Sequence, residues 1–198
     1  MSSEFLETVK IFRGKACHLE YHQKRYQSVL KYFGVYEYKN LSDYIKAPSD
    51  ELFRCRLIYS PKNIEKIDVE YIKYKKRDIK SLRLVYDDHI DYPLKSTHRE
   101  ELNKLFEKRQ NADDVLIVKN GYITDTSIAN IALFDGNWKT PKKPLLKGTT
   151  RQRLLDNGKI IEADIKPEEL NNYSKVALLN AMIDFDIITD ENIKDVFC

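Results

Sequence analysis

The sequence predicts a mixed α and β protein built as two hairpin-rich parts, and three patterns carry that reading. Residues 52–59 alternate strictly, with Phe53, Cys55, Leu57 and Tyr59 on one face and Arg54, Arg56 and Ile58 on the other. Residues 18–33 place Leu19, His22, Tyr26, Val29, Leu30 and Phe33 at spacings of three and four, the mark of an amphipathic helix. Asn120-Gly121 between apolar runs is a strong hairpin signal. Strands and helices follow one another in mixed order, which favours two α/β layers over a single doubly wound sheet.

Taken in order, residues 4–12 read as a strand with Phe5, Val9 and Ile11 available for burial, and Arg13-Gly14-Lys15 as a turn. Gly34 is a natural C-cap for the helix that follows. Ser60-Pro61-Lys62-Asn63 turns the alternating strand into a second one over 66–75, giving a hairpin. A further strand is expected over 81–86. The polar segment 87–93 then marks a domain boundary, with a small N-terminal α+β domain over 1–88 and a C-terminal α/β domain over 89–198. A helix over 99–108 would bury Leu102, Leu105 and Phe106. Residues 114–119 form a short apolar strand, followed by strands at 122–124 and 128–134, with Asp135-Gly136 as the next turn. Leu145-Leu146-Lys147-Gly148 leads into a helix over 150–155, which Asn157-Gly158 stops. A strand over 159–165, a short helix opened by Pro167 and a buried strand over 175–179 complete the pattern.

Composition narrows the classes of function. The chain has 198 residues, 42% of them hydrophobic, close to the globular average. Its 34 basic and 31 acidic side chains leave a net charge of +3, and the lysines are scattered rather than striped, which argues against a nucleic-acid binder. The basic run at 73–80 reads as a solvated strand end. Cys17, Cys55 and Cys198 are few and widely spaced, as expected of reduced thiols in a cytosolic protein rather than a disulfide framework or a metal site. No apolar run reaches membrane-spanning length and no signal-peptide core is visible, so a cytoplasmic protein is expected.

The chemistry-bearing residues form a pattern. Lys95-Ser96-Thr97-His98-Arg99 lies between an extended segment and a helix. Thr124-Asp125-Thr126-Ser127-Ile128-Ala129-Asn130 follows the hairpin turn, and Gly148-Thr149-Thr150-Arg151 opens a helix. Pyridoxal phosphate asks a protein for these groups: a lysine amine for the aldehyde, a carboxylate at the pyridine nitrogen and a dianion clamp. Lys95 fits the first role and Asp125 the second. Gly148, Thr149 and Thr150 fit the third, because a helix start turns its N–H groups and dipole toward an anion. Arg25 would add a fixed cation. Arg54 and Arg56 share one strand face, suited to gripping a substrate carboxylate. Each feature has a plainer reading. Lys95 would be a surface lysine, Asp125 a turn residue, Gly148 an ordinary helix start, Arg25 an exposed helix arginine, and the arginine pair a solvated sheet edge. His22, on the apolar stripe, reads as a packed, hydrogen-bonded histidine rather than an acid or base.

Together the segments resemble the class IV, fold-type IV pyridoxal-phosphate enzymes, and within them most closely the aminodeoxychorismate lyases. Leu6-Glu7-Thr8 with Gly14 resembles the family's opening strand. The run from Leu19 through His22, Arg25 and Ser28 to Phe33-Gly34 resembles its first helix. Lys95-Ser96-Thr97-His98-Arg99 resembles the lysine motif, and Asp114-Val115-Leu116, Asn120-Gly121, Thr124-Asp125 and Ile128-Ala129-Asn130 the central hairpin. Trp138, Thr140-Pro141, Leu145-Leu146, Gly148 and Arg151 resemble the segment after it, and Asn180 falls at a late asparagine position of the pattern.

The resemblance implies a two-domain fold, a small α+β domain and a second domain with a barrel-like mixed sheet. It implies pyridoxal 5′-phosphate held by Lys95, with Arg25, Thr149, Thr150 and the backbone near Asn180 and Ala181 at the phosphate. Asp125 would stand at the pyridine nitrogen, where the family usually has Glu; being one methylene shorter, it needs either a closer hairpin or a water. Lys147 stands where the family often has Pro, and the chain begins at the opening strand, as the fused lyase modules do. Conversion of 4-amino-4-deoxychorismate to 4-aminobenzoate and pyruvate is the implied reaction, in folate biosynthesis, by a homodimer working with aminodeoxychorismate synthase. A branched-chain or D-amino-acid transaminase and a non-catalytic paralogue are the alternatives; the lysine motif leans toward the lyase.

Overall fold

A computed structural model describes residues 4–189 and 192–197. The chain forms two compact units. The first runs to Lys76 and takes back Leu94–His98; the second holds Arg77–Pro93 and everything from Arg99 on. The division therefore falls at Lys76/Arg77 and not near residue 88. The cause is strand pairing: Leu82–Tyr86 pairs in parallel with Asp114–Lys119, which ties it to the second unit. Lys95 in turn belongs to the first unit, because the N–H of Leu6 donates to its carbonyl at 2.9 Å and that of Thr97 donates to Glu4 at 3.0 Å.

The first unit contains β1 (Phe5–Phe12), β2 (Lys15–Ala16), α1 (Leu19–Tyr32), β3 (Phe53–Ser60) and β4 (Asn63–Lys73). The sheet runs β2-β1-β3-β4, with antiparallel neighbours throughout. The register Phe5↔Tyr59, Glu7↔Leu57, Val9↔Cys55 and Ile11↔Phe53 sets one face of two strands against α1. Tyr26, Val29 and Leu30 of the helix complete that core. The helix ends at Tyr32 with Phe33 as its C-cap, and Gly34 beyond it, at a φ of 76° that glycine adopts at little cost, donates its N–H to the Lys31 carbonyl.

The second unit contains β5 (Leu82–Tyr86), α2 (Glu100–Glu107), β6 (Asp114–Lys119), β7 (Tyr122–Thr126) and β8 (Asn130–Phe134). After these come β9 (Trp138–Pro141), α3 (Thr149–Asp156), β10 (Ile161–Ala163), β11 (Lys175–Asn180) and β12 (Asp184–Ile187). Its eight strands form one mixed sheet, β10-β9-β8-β7-β6-β5, with β11 on β8 and β12 beyond it. The β5/β6 and β9/β10 pairs are parallel, and α2 and α3 lie in their crossovers. The strand at β9 and the hairpin partner β12 are not legible in the sequence. The strand expected over 128–134 begins only at Asn130, because 126–129 is a tight turn. In it the Thr126 hydroxyl accepts from the Ala129 N–H, and the Thr126 N–H donates to the Ala129 carbonyl. Phe106 is half-buried rather than buried, with the Arg109 guanidinium 4.0 Å from its ring centroid.

Two irregularities shape the middle of this sheet. The β6/β7 register slips between Leu116↔Thr126 and Val118↔Ile123, so β7 carries one extra residue there. Such a bulge re-aims side chains, and Ile123, Thr124, Asp125 and Thr126 are all buried instead of alternating. The Thr124 hydroxyl pins the bulge by donating to the Ile117 carbonyl at 2.8 Å. Further along, β7 and β8 are in register only at Asp125↔Asn130. Beyond that point β8 turns its edges to β11 and β9. Among the described residues no helix is long and apolar enough to cross a membrane, and Cys17 and Cys55 are free thiols. Cys198 lies outside the described residues.

Replacing Thr124 by the near-isosteric Val removes the hydroxyl donor and leaves a buried carbonyl short of a partner. The expected cost is about 1–3 kcal/mol in urea unfolding, with an unchanged slope; no loss of stability would show that the bulge holds without this bond.

Candidate active site

In the first unit the site is built on an acid that the apolar pattern of β1 conceals. Glu7 alternates with Phe5 and Val9, so it faces α1 and is fully buried. His22 and Arg25, one helical turn apart, meet it there. Arg25 donates from Nε to Oε1 at 2.8 Å and from Nη2 to Oε2 at 2.5 Å, and His22 Nδ1 lies 2.6 Å from Oε2. Burial alone would raise the Glu7 pKa. The Arg25 charge and the bonds from His22 and Arg25 outweigh it and bring the carboxyl down to about 2. Burial also pushes His22 below its ordinary value, against the pull of Glu7. The ring is therefore neutral at pH 7 and donates its Nδ1 proton. His22 is the packed, bonded histidine that its place on the stripe suggested.

Arg25 is thus fixed at its root by a bidentate pair, with its side chain 14% exposed. Lys95 is in the same unit, half-buried, its backbone stitched beside Leu6 next to Glu7. Its charge is felt by His22. Arg54 and Arg56 do share a half-buried face of β3, but they differ. Arg56 Nη1 is taken by Glu70 at 2.9 Å, whereas Arg54 Nε is buried with no hydrogen-bond partner among the described residues.

In the second unit the centre is Asp125, 4% exposed at the bulge. Its Oδ1 accepts from Asn130 Nδ2 at 2.7 Å and its Oδ2 from the Leu146 N–H at 2.8 Å. Burial raises its pKa to about 7, with the Leu146 N–H, Asn130 and the Arg151 charge pulling the other way. Its direct hydrogen-bond partners are thus an amide and a peptide N–H, both neutral. The Leu145–Gly148 stretch then enters α3 with Gly148 as N-cap, Thr149 and Thr150 buried in the first turn and no acidic residue there. Arg151 is 2% exposed and spent on structure, donating to Pro141 and to Glu162. Asn180 is spent as well: Oδ1 accepts from the N–H groups of Met182 and Ile183, shaping the turn that carries half-buried Ala181. Arg99 holds the 126–129 turn through the Ser127 carbonyl at 2.7 Å.

Sequence reasoning gives no role to Glu7, Asn130 or Arg99. A carboxylate at an inward strand position, with His22 and Arg25 three apart on the facing helix, is a signal for Glu7. Asn130 and Arg99 stand in the sequence only as motif positions, and their partners are fixed by the fold.

The two buried acids predict opposite pH dependences of stability for the cofactor-free protein. Glu7, lowered from 4.5 to about 2, contributes stability above pH 4.5 that is lost as pH falls through 2. Asp125, raised from 3.8 to about 7, contributes stability below 3.8 that is lost as pH rises through 7. Denaturation midpoints should decline less steeply from pH 4 to 8 in Asp125→Asn than in the parent, and the acid limb between pH 4.5 and 2 should flatten in Glu7→Gln. Parallel profiles for parent and variants would contradict these assignments.

The family described as amino-transferase class IV matches residues 4–189. A Haemophilus influenzae protein of uncharacterised function is 38% identical over 183 residues, 89% of this chain and 96% of its own length. The crystal structure of a candidate 4-amino-4-deoxychorismate lyase from Haemophilus somnus 129PT superposes with a TM-score of 0.81 at 33% identity, over 92% of this chain and 97% of that one. A hypothetical aminotransferase from Mycobacterium tuberculosis, with α-ketoglutarate and PMP bound, has a TM-score of 0.79 at 19% identity, over 93% and 79%, and so speaks to the fold alone. With the motifs of both units lying inside the matched span, the chain belongs to the class IV aminotransferases, the fold-type IV family of pyridoxal 5′-phosphate enzymes.

Proposed function

We propose that the protein is an aminodeoxychorismate lyase, releasing pyruvate from 4-amino-4-deoxychorismate to leave 4-aminobenzoate. The observation that carries the cofactor part of this reading is Asp125. It is a fully buried carboxylate with neutral donors on both oxygens and no cation in contact among the described residues, which suits a protonated pyridine ring. The 33% identity to the candidate lyase of Haemophilus somnus, over nearly all of both chains, favours the lyase.

The cofactor, when bound, supplies an electron sink for the carbanion. The chain's own residues do the rest. Lys95 would hold the cofactor through its amine and would move the proton at the carbon bearing the substrate nitrogen. Asp125 keeps the ring nitrogen protonated. Arg25 is assigned to the phosphate, and its anchorage on Glu7 fixes its guanidinium before any anion arrives. Gly148, Thr149 and Thr150 at the N-terminus of α3, and the backbone near Asn180 and Ala181, are assigned to the same phosphate on the family resemblance, since a helix start turns its N–H groups toward an anion. Of the two strand arginines, Arg54 is the better carboxylate grip, since Glu70 already engages Arg56. A cytoplasmic homodimer supplied by aminodeoxychorismate synthase completes the proposal, and this part rests on the family resemblance alone.

Lys95→Ala should abolish both turnover and the yellow absorbance of the bound cofactor; turnover at the parental rate would rule the mechanism out. Purified protein given chorismate, glutamine and a synthase should form aminobenzoate and pyruvate. Amine transfer dependent on an added keto acid, without pyruvate release, would make it a transaminase instead. Arg54→Ala should raise KM on the order of ten- to a hundredfold, the size of a lost charged hydrogen bond, with Arg56→Ala closer to the parent; the reverse order would move the grip to Arg56.

A further inference from the structure

Gly148 has φ −68° and ψ 146°, a backbone any residue adopts, so no turn geometry demands a glycine there. What demands it is a side chain. A Cβ built on Gly148 would lie 2.0 Å from Asn130 Oδ1 and 3.2 Å from its Cγ. Asn130 is 5% exposed, and its amide nitrogen has two hydrogens. One goes to Asp125 Oδ1 at 2.7 Å and the other to the Leu146 carbonyl at 2.8 Å. The N–H of the same Leu146 returns to Asp125 Oδ2 at 2.8 Å. Carboxylate, amide and peptide thus close a ring of three bonds. With its nitrogen committed to two acceptors, the amide oxygen must point the opposite way, onto Gly148. The one point at which β7 and β8 stay in register, Asp125↔Asn130, puts the two side chains together.

We propose that Asn130, admitted by the missing side chain at Gly148, is a positioning residue that aims Asp125 at the cofactor's ring nitrogen and locks it to the loop opening α3. The inference rests on the reading of Asp125 as the ring partner. The ring of bonds fixes both carboxylate oxygens, so Asp125 cannot swing about its last torsion, and each oxygen keeps a lone pair for a further donor. Arg151 and Asn130 favour the ionised form against burial, and Asn130 does so by direct contact. The bracket also ties two tasks together: Leu146 and Gly148 belong to the stretch that presents the α3 N-terminus. Gly148 therefore serves the carboxylate first, rather than an anion's close approach.

The test is a double-mutant cycle on the full chain, read by the dissociation constant of added pyridoxal 5′-phosphate and by the pH titration of the bound cofactor's absorbance. Asn130→Ala and Gly148→Ala should each weaken binding on the order of tenfold, the scale of one lost buried hydrogen bond, and each should shift the absorbance titration. The double variant should bind no worse than Asn130→Ala alone, because the clash disappears with the side chain. Multiplying effects, or a Gly148→Ala protein that behaves as the parent, would overturn the proposal. If Asn130→Ala fails to fold, Asn130→Asp replaces it: that side chain keeps the shape but cannot donate twice, so the titration must still shift. Asp125→Asn separates the two readings. A shift there with none in either Asn130 variant sinks the positioning role alone, whereas no shift in Asp125→Asn sinks the assignment of Asp125 itself.

Discussion

A carboxylate taken out of water must be met by donors or give up its charge, and the protein solves this twice in opposite ways. Glu7 is met by a guanidinium on both oxygens and an imidazole on one, and its pKa falls to about 2. Asp125 is met by an amide and a peptide N–H, and its pKa climbs to about 7. The first arrangement is complete in itself and holds Arg25 in place. The second is incomplete, in that neutral donors settle the geometry but leave the charge without a counterpart. A buried acid of the second kind keeps its charge only at a cost, and burial accordingly holds its proton on toward neutral pH.

Both arrangements depend on irregular backbone or unexpected facing. Glu7 uses an ordinary strand, but at a position the alternation reserves for apolar side chains. Asp125 needs the extra residue in β7, without which Ile123, Thr124 and Asp125 would alternate across the sheet. The Thr124 bond to Ile117 and the Thr126 turn hold that distortion on either side. Asp114 and Arg99 grip the same turn through Ser127. The sheet is least regular around Asp125, at the point where β7 and β8 part.

Much of the fold is legible in the residue pattern, and particular residues show why. The strict alternation over Phe53–Ser60 is a strand in the structure, because period two leaves one solution for a half-buried strand. The first helix and its glycine stop follow for the corresponding reason at period 3.6. β12, by contrast, carries Asp184 and Asp186 and exists because β11 offers it an edge. The unit boundary lies earlier than the polar segment suggests because β5 pairs with a strand far along the chain, and such pairing leaves no local trace. Lys95 sits with the first unit rather than the second for a similar reason, since the bonds around it run to Leu6 and Glu4.

Local spacing and residue chemistry are written into the order of the amino acids. They suffice for most of the periodic elements and turns, and they make Lys95, Arg25, Asp125 and the Gly148 helix start stand out as motif residues without any coordinates. What each of these touches is another matter, and the folded chain alone answers it. Folding sets Glu7 under Arg25, separates the engaged Arg56 from Arg54, and gives Gly148 its reason in the amide of Asn130. One cause underlies all three. Hydrogen bonds and close approach are fixed to tenths of an ångström by strand register, and register is a property of paired chains rather than of either strand alone.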